Sequence, residues 1–137
     1  MFFDSSFGDQ IAFKNSYSDF DFNFKVNPNY GDITPIRDNN AVKASIKNLI
    51  FTGIFERPFN QNVAMGINDF IFEKLDSINM ATIITEIKRV VLTYEPRVSD
   101  IKVYLRALNT TVEMVVIFSI INTDEVDTLN ITLSRVR

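Results

Sequence analysis

Residues 79–107 read NMATIITEIKRVVLTYEPRVSDIKVYLRA, and inside this stretch the spacing of the apolar residues changes once. Ile83, Ile84, Ile87, Val90, Val91 and Tyr94 follow the i, i+1, i+4, i+7, i+8, i+11 stripe of a helix buried on one side. Glu86, Lys88 and Arg89 lie off that stripe. Pro96 ends the helix, because the residue before a proline, here Glu95, is pushed out of the α region. Beyond it Ile101, Val103 and Leu105 alternate with Lys102, Tyr104 and Arg106, which is the period of a strand. A helix therefore hands over to a strand across the tripeptide Glu95-Pro96-Arg97.

Downstream, Asn109-Thr110 makes a turn and residues 112–121 form a longer strand, apolar on both faces in its middle (Met114, Val115, Val116, Ile117, Phe118). Thr123-Asp124-Glu125 turns again, and Leu129, Ile131 and Leu133 alternate towards the end. Three consecutive strands with short connections predict an antiparallel meander, with 112–121 central and 101–107 and 129–135 as its edges.

Upstream, Val42, Ile46, Leu49 and Ile50 recur at helical spacing, Asp38 or Asn39 can cap that helix, and Gly53 stands where a left-handed terminal residue is expected. A short helix is expected from Asn68 to Leu75. Residues 1–36 are rich in Asp, Asn, Ser and Phe. Within them, 19–24 alternates as a half-buried strand does, before Pro28, Gly31 and Pro35 punctuate a loop. This segment reads as an extended arm ordered by lying on another surface, or equally as a strand of the same domain. The fold class is α+β: about three helices followed by a small antiparallel three-stranded meander, with an extended N-terminal arm over 1–36 and a single domain over 37–137. A length of 137 residues suits one such domain.

The composition excludes much chemistry. There is no Cys and no His, so disulfides, thiol nucleophiles, Cys- or His-ligated metals and Ser-His-Asp catalysis are out. No metal or cofactor is expected. The net charge is −3 and the 14 basic residues are scattered, which argues against nucleic-acid binding. No run reaches the length of a membrane span. The start, MFFDSSFGDQ, lacks a basic region and a continuous apolar one, so no signal peptide is expected and the chain reads as a soluble, intracellular product.

Glu95 is out of place by propensity, since a carboxylate at a helix C-terminus faces the negative end of the dipole at a cost of about 0.3–1 kcal/mol when exposed. Two readings stay open: an internal ion pair or solvated turn, and a site presented rigidly by Pro96. Arg57-Pro58-Phe59 is a second Arg-Pro pair, either a turn with a buried Phe or an arginine positioned to bind a carboxylate. A carboxylate-dependent glycan hydrolase would need two acids about 5–10 Å apart across a cleft. Glu56, Asp69, Glu73 and Glu95 qualify by type, but their spacing selects no pair.

Lys43 to Thr52 (KASIKNLIFT), then Glu56-Arg57-Pro58-Phe59 closing at Gly66, then a helix ending in Tyr94-Glu95-Pro96-Arg97-Val98, resemble the baseplate wedge proteins of contractile phage tails. This is the lysozyme-like or sheath-initiator family, with a relative in type VI secretion. The resemblance covers about residues 32–137; the loop departs from the family's pattern at Phe59, Asn60 and Gln61. It implies a non-enzymatic structural protein of the inner baseplate beside the tail tube, made in the host cytoplasm and resident in the virion tail. The implied partners are the helical core bundle of other wedge subunits, the tail sheath protein, and tube or hub proteins. The implied contacts are Glu95, Pro96 and Arg97, with Arg57 and Pro58 as a further partner-binding pair; the sheet would template the first sheath ring.

Overall fold

A computed structural model describes residues 17–21, 23–53, 55–56, 58–60, 65–71, 75–121 and 125–134. Its centre is an antiparallel meander of β3 (Val98–Ala107), β4 (Thr111–Ile120) and β5 (Val126–Ser134), in the order β3-β4-β5. The expected central strand is central. Register is set by rows such as Val103, Val116 and Leu129, or Leu105, Met114 and Ile131, which run across all three strands on one face. That face is buried at Ile101, Val103, Val112, Met114, Val116, Phe118, Ile120, Ile131 and Leu133. The opposite face of β4, at Val115 and Ile117, is only half-buried.

Two long helices complete the core: α1 (Asn39–Phe51) contributes Ala41, Val42, Ile46, Leu49 and Ile50, and α3 (Ser77–Tyr94) contributes Ile83, Ile87, Val90 and Val91. The short α2 (Ile67–Ile71) adds Ile67 and Ile71. The expected helix from Asn68 to Leu75 is thus a turn and a half within the described residues, and 72–74 lie outside them. The α+β class and its element order are as expected.

The two long helices begin differently. Asp76 caps α3 from an extended backbone, its Oδ1 accepting from the Asn79 N–H at 2.8 Å. Asp38 occupies the same position before α1, but its side chain makes no capping bond. Its own N–H donates to the Tyr17 carbonyl at 2.6 Å and its φ is 53°, outside the extended region that capping geometry needs. A tertiary hydrogen bond has overridden the local cap.

That bond comes from a two-stranded ribbon, β1 (Ser18–Phe20) paired antiparallel with β2 (Pro35–Arg37), and the isolated bridge Val26–Ile33 nearer its tip. The alternation over 19–24 does not run on as a strand. Asp21 Oδ1 accepts from the Asn23 N–H at 2.9 Å, and the Phe24 N–H donates to the Asp21 carbonyl at 2.9 Å, so an Asx turn forms first. Gly31, at φ 67°, closes the tip by donating to the Asn27 carbonyl.

Candidate functional site

Helix α3 runs out at Glu95, whose N–H still donates to the Val91 carbonyl at 2.8 Å although its backbone has left the helix (φ −117°, ψ 84°). Pro96 forces that departure. The Val98 N–H then donates to the Glu95 carbonyl at 3.1 Å, closing a four-residue turn with proline at its second position. The Arg97 carbonyl accepts from the Ile121 N–H at 2.9 Å, which fastens the turn to the far end of β4. Ser99 sits at the irregularity in the β3–β4 register between Val98 and Asp100. The helix-to-strand handover is thereby rigid at both ends.

The Glu95 side chain points inward and the residue is 2% exposed, the one buried charged residue among those described. Its cation is Arg97 of the same chain. Arg97 Nε donates to Oε1 at 2.6 Å and Nη2 donates to Oε2 at 2.7 Å, a bidentate fork, and the Arg97 backbone N–H adds a longer bond to Oε1. Burial pushes the Glu95 carboxyl up. The Arg97 guanidinium and the Ser45 hydroxyl of α1 outweigh that and hold it below its ordinary value. The Tyr17 ring covers Arg97, with Cζ 5.3 Å from its centroid. The internal ion pair anticipated for Glu95 is present, and within the same turn Pro96 is exposed and Arg97 is partly so.

The second motif is built differently. Gly53 does not adopt the left-handed backbone expected of it. The helix ends instead with extended Thr52, whose hydroxyl donates to the Asn48 carbonyl at 2.6 Å. Glu56 then reaches back and accepts the Gly53 N–H at 2.9 Å. Pro58 is exposed, and Phe59 is fully exposed rather than buried. Arg57 lies outside the described residues. Glu95, Pro96 and Arg97 come together as one turn; no hydrogen bond or ion pair among the described residues joins Pro58 to them.

Two participants were not singled out from sequence. Ser45 carried a signal, since it is a polar residue on the apolar stripe of α1, between Val42 and Leu49. Tyr17 carried none, because its contact depends on how the ribbon docks. Asn39 donates to Glu125 at 3.0 Å and Lys43 pairs with Asp127 at 2.8 Å, tying the first turns of α1 to the start of β5. Among the described residues no acidic cluster could hold a metal ion, and no helix is long and apolar enough to cross a membrane.

Fold and turn define a class: a helix-led α+β module in which the buried charge holds a turn rather than lining a cleft. Residues 37–125 match the family model of the baseplate wedge protein gp25, and the chain belongs to that family. It is accordingly a structural protein of the tail baseplate. No curated protein sequence matches it significantly. Among solved structures, it is similar to a proposed tail lysozyme of Geobacter sulfurreducens at 19% identity and a TM-score of 0.62, covering 72% of this chain and 91% of that one. It is also similar to a chain of the anti-feeding prophage baseplate, again at 19% identity, with a TM-score of 0.55, covering 89% of this chain and 88% of that one. Both likenesses are of fold.

Proposed function

We propose that this chain is a non-enzymatic inner wedge component, in which the Glu95-Pro96-Arg97 turn clamps the helical core subunits of neighbouring wedges and the sheet templates the first sheath ring. Residues 37–137 serve as the wedge domain, against which residues 17–36 of the N-terminal arm lie as the β1–β2 ribbon. The observation that carries the reading is the contrast within three residues. Glu95 is buried and pins Arg97, while Pro96 and part of Arg97 stand at the surface of a turn braced by α3 and β4. Such pre-arrangement lowers the ordering cost of binding. Arg57 and Pro58 are assigned to the same partner surface as a second contact.

The two sheet edges differ in a way that favours one of them for an added strand. On the solvent face β3 displays Asp100, Lys102 and Arg106, the charged residues that keep edges from pairing. The corresponding column of β5 is Val126, Thr128, Asn130, Thr132 and Ser134, with no charge. We therefore assign sheath templating to β5, where an extended segment would gain backbone hydrogen bonds with little demand on its side chains.

A small glycan hydrolase is the rival. A general acid needs a raised pKa, whereas the buried carboxylate here is held down. Carboxylate-dependent clearing in a cell-wall turbidity assay, lost in Glu56→Gln or Glu95→Gln, would overturn the structural reading. The direct test is co-elution of the wild type and Arg97→Ala with the helical wedge subunits and with sheath protein, alongside melting curves. Wild-type binding to the wedge helices that the variant loses supports the clamp. If Arg97→Ala lowers the melting temperature but binds as the wild type does, the pair serves only the fold.

A further inference from the structure

A guanidinium has five N–H donors in a planar fork. Glu95 takes two of those of Arg97, Nε–H and one on Nη2, which together are its side-on edge. The end-on edge, one N–H from each Nη, points away from Glu95, and no hydrogen bond to it forms among the described residues. The face of the group is covered by the Tyr17 ring at 5.3 Å. Tyr17 is itself fastened, since its carbonyl accepts the Asp38 N–H at the start of α1. Arg97 is thus fixed along one edge and one face, with 21% of its side chain still exposed.

The local charge count narrows what that free edge can take. Glu95 already neutralises Arg97 through the bidentate fork. The pair carries no net charge, so a second carboxylate brought by a partner would meet the full cost of desolvation. A main-chain carbonyl makes the same end-on bonds without it, and the last turn of a helix has four carbonyls with no intrahelical donor.

Resting on the clamp reading above, we propose that Tyr17 belongs to the binding site and that the end-on edge of Arg97 takes main-chain carbonyl oxygens at the C-terminal end of a partner helix. Residues 17–37 are then part of the interface, and Tyr17 acts as a positioning residue for Arg97.

Calorimetric titration of the full chain against the helical wedge subunits tests this with Tyr17→Phe, Tyr17→Leu and Arg97→Ala. Tyr17→Phe keeps the ring and is expected to bind within about twofold of the wild type; Tyr17→Leu removes it and is expected to bind roughly tenfold more weakly. Amide exchange in α3 and β4 should be unchanged in Tyr17→Leu, and the Arg97 Nη resonances of the free chain, distinct in the wild type, should average. Wild-type affinity in Tyr17→Leu, with Arg97→Ala still defective, overturns this inference and leaves the clamp standing. Wild-type affinity in Arg97→Ala overturns both. The affinity lost in Arg97→Ala should change by less than about twofold between about 0.05 and 0.5 M salt, because a helix end brings only a partial charge. A loss that shrinks roughly tenfold as salt is added identifies a full partner charge, a carboxylate, and overturns the carbonyl assignment.

Discussion

Both long helices of this chain run into a loop that holds a glutamate, a proline and an arginine, and the two loops come out differently. After α3, Glu95 turns inward, is 2% exposed, and takes a bidentate arginine two residues on. After α1, Glu56 stays at the surface and accepts one backbone N–H, from Gly53. Residue type does not separate them; the surroundings do. Glu95 sits where α1, α3 and the sheet exclude water, and a carboxylate there is tolerable only with a cation and further donors. Glu56 has water available and needs no cation, and Phe55 and Phe59 lie on the outside. The Glu95 turn is therefore part of the core and the Glu56 turn a fitting on its surface.

That contrast breaks most readily at Arg97. Arg97→Ala leaves a carboxylate inside the protein without its cation, a change that costs about 3–5 kcal/mol in buried pairs. The partial exposure of Arg97 and the remaining Ser45 bond place the expected loss near the lower end, about 3 kcal/mol, or roughly 10 °C in melting temperature. Arg97→Lys should recover only part of it, since an ammonium cannot reproduce the fork. Thermal denaturation checks both. A loss below about 0.5 kcal/mol, the scale of an ordinary surface substitution, would mean that Glu95 is no more a core group than Glu56.

Acid sharpens the same comparison with a smaller effect. The Glu95 carboxyl lies below its ordinary value of 4.5 in the folded chain, because Arg97 and Ser45 outweigh its burial. A depressed carboxyl contributes its full stabilisation above the unfolded value and loses it as the pH falls through the folded one. Urea unfolding should therefore show stability falling below about pH 4.5, with part of that slope absent both in Arg97→Ala and in Glu95→Gln. An acid limb identical in all three chains would remove Glu95 from the account.

The parts of this structure legible in the sequence are those in which one interaction dominates. The stripe from Ile83 to Tyr94, the break at Pro96 and the alternation beyond it each rest on burial or sterics, and α3 and the meander follow directly. The parts not legible are contests between near-equal local and tertiary terms. Asp38 had the chemistry of a cap and lost it to the Tyr17 carbonyl. The alternation over 19–24 was cut by the Asx turn at Asp21. Glu95 was visible as an anomaly on helix-dipole grounds. Its partner was not, because an arginine two residues on can reach back or reach out, and only the packing of α1 against the turn makes it reach back. Ser45 could have been read from its place on an apolar stripe; Tyr17 had no such mark.

The smallest expected effect is the most discriminating for the surface turn. Gly53 is not in the left-handed region, so alanine there meets no backbone strain. The added Cβ would lie 2.9 Å from Glu56 Oε1, 3.0 Å from its Cδ and 3.2 Å from its Cγ, all within one flexible, exposed side chain. Glu56 can move aside at the loss of its bond to the Gly53 N–H, worth about 0.5–1.5 kcal/mol net and less where water replaces it. Against this, replacing glycine reduces the freedom of the unfolded chain and contributes about 0.4–1 kcal/mol. The two terms nearly cancel, so Gly53→Ala is expected to change stability by no more than about 0.5 kcal/mol. A rigid Glu56 would give a clear loss instead, on the order of 1–3 kcal/mol as overpacking does, and the loop after α1 would then be a braced structure like the turn after α3.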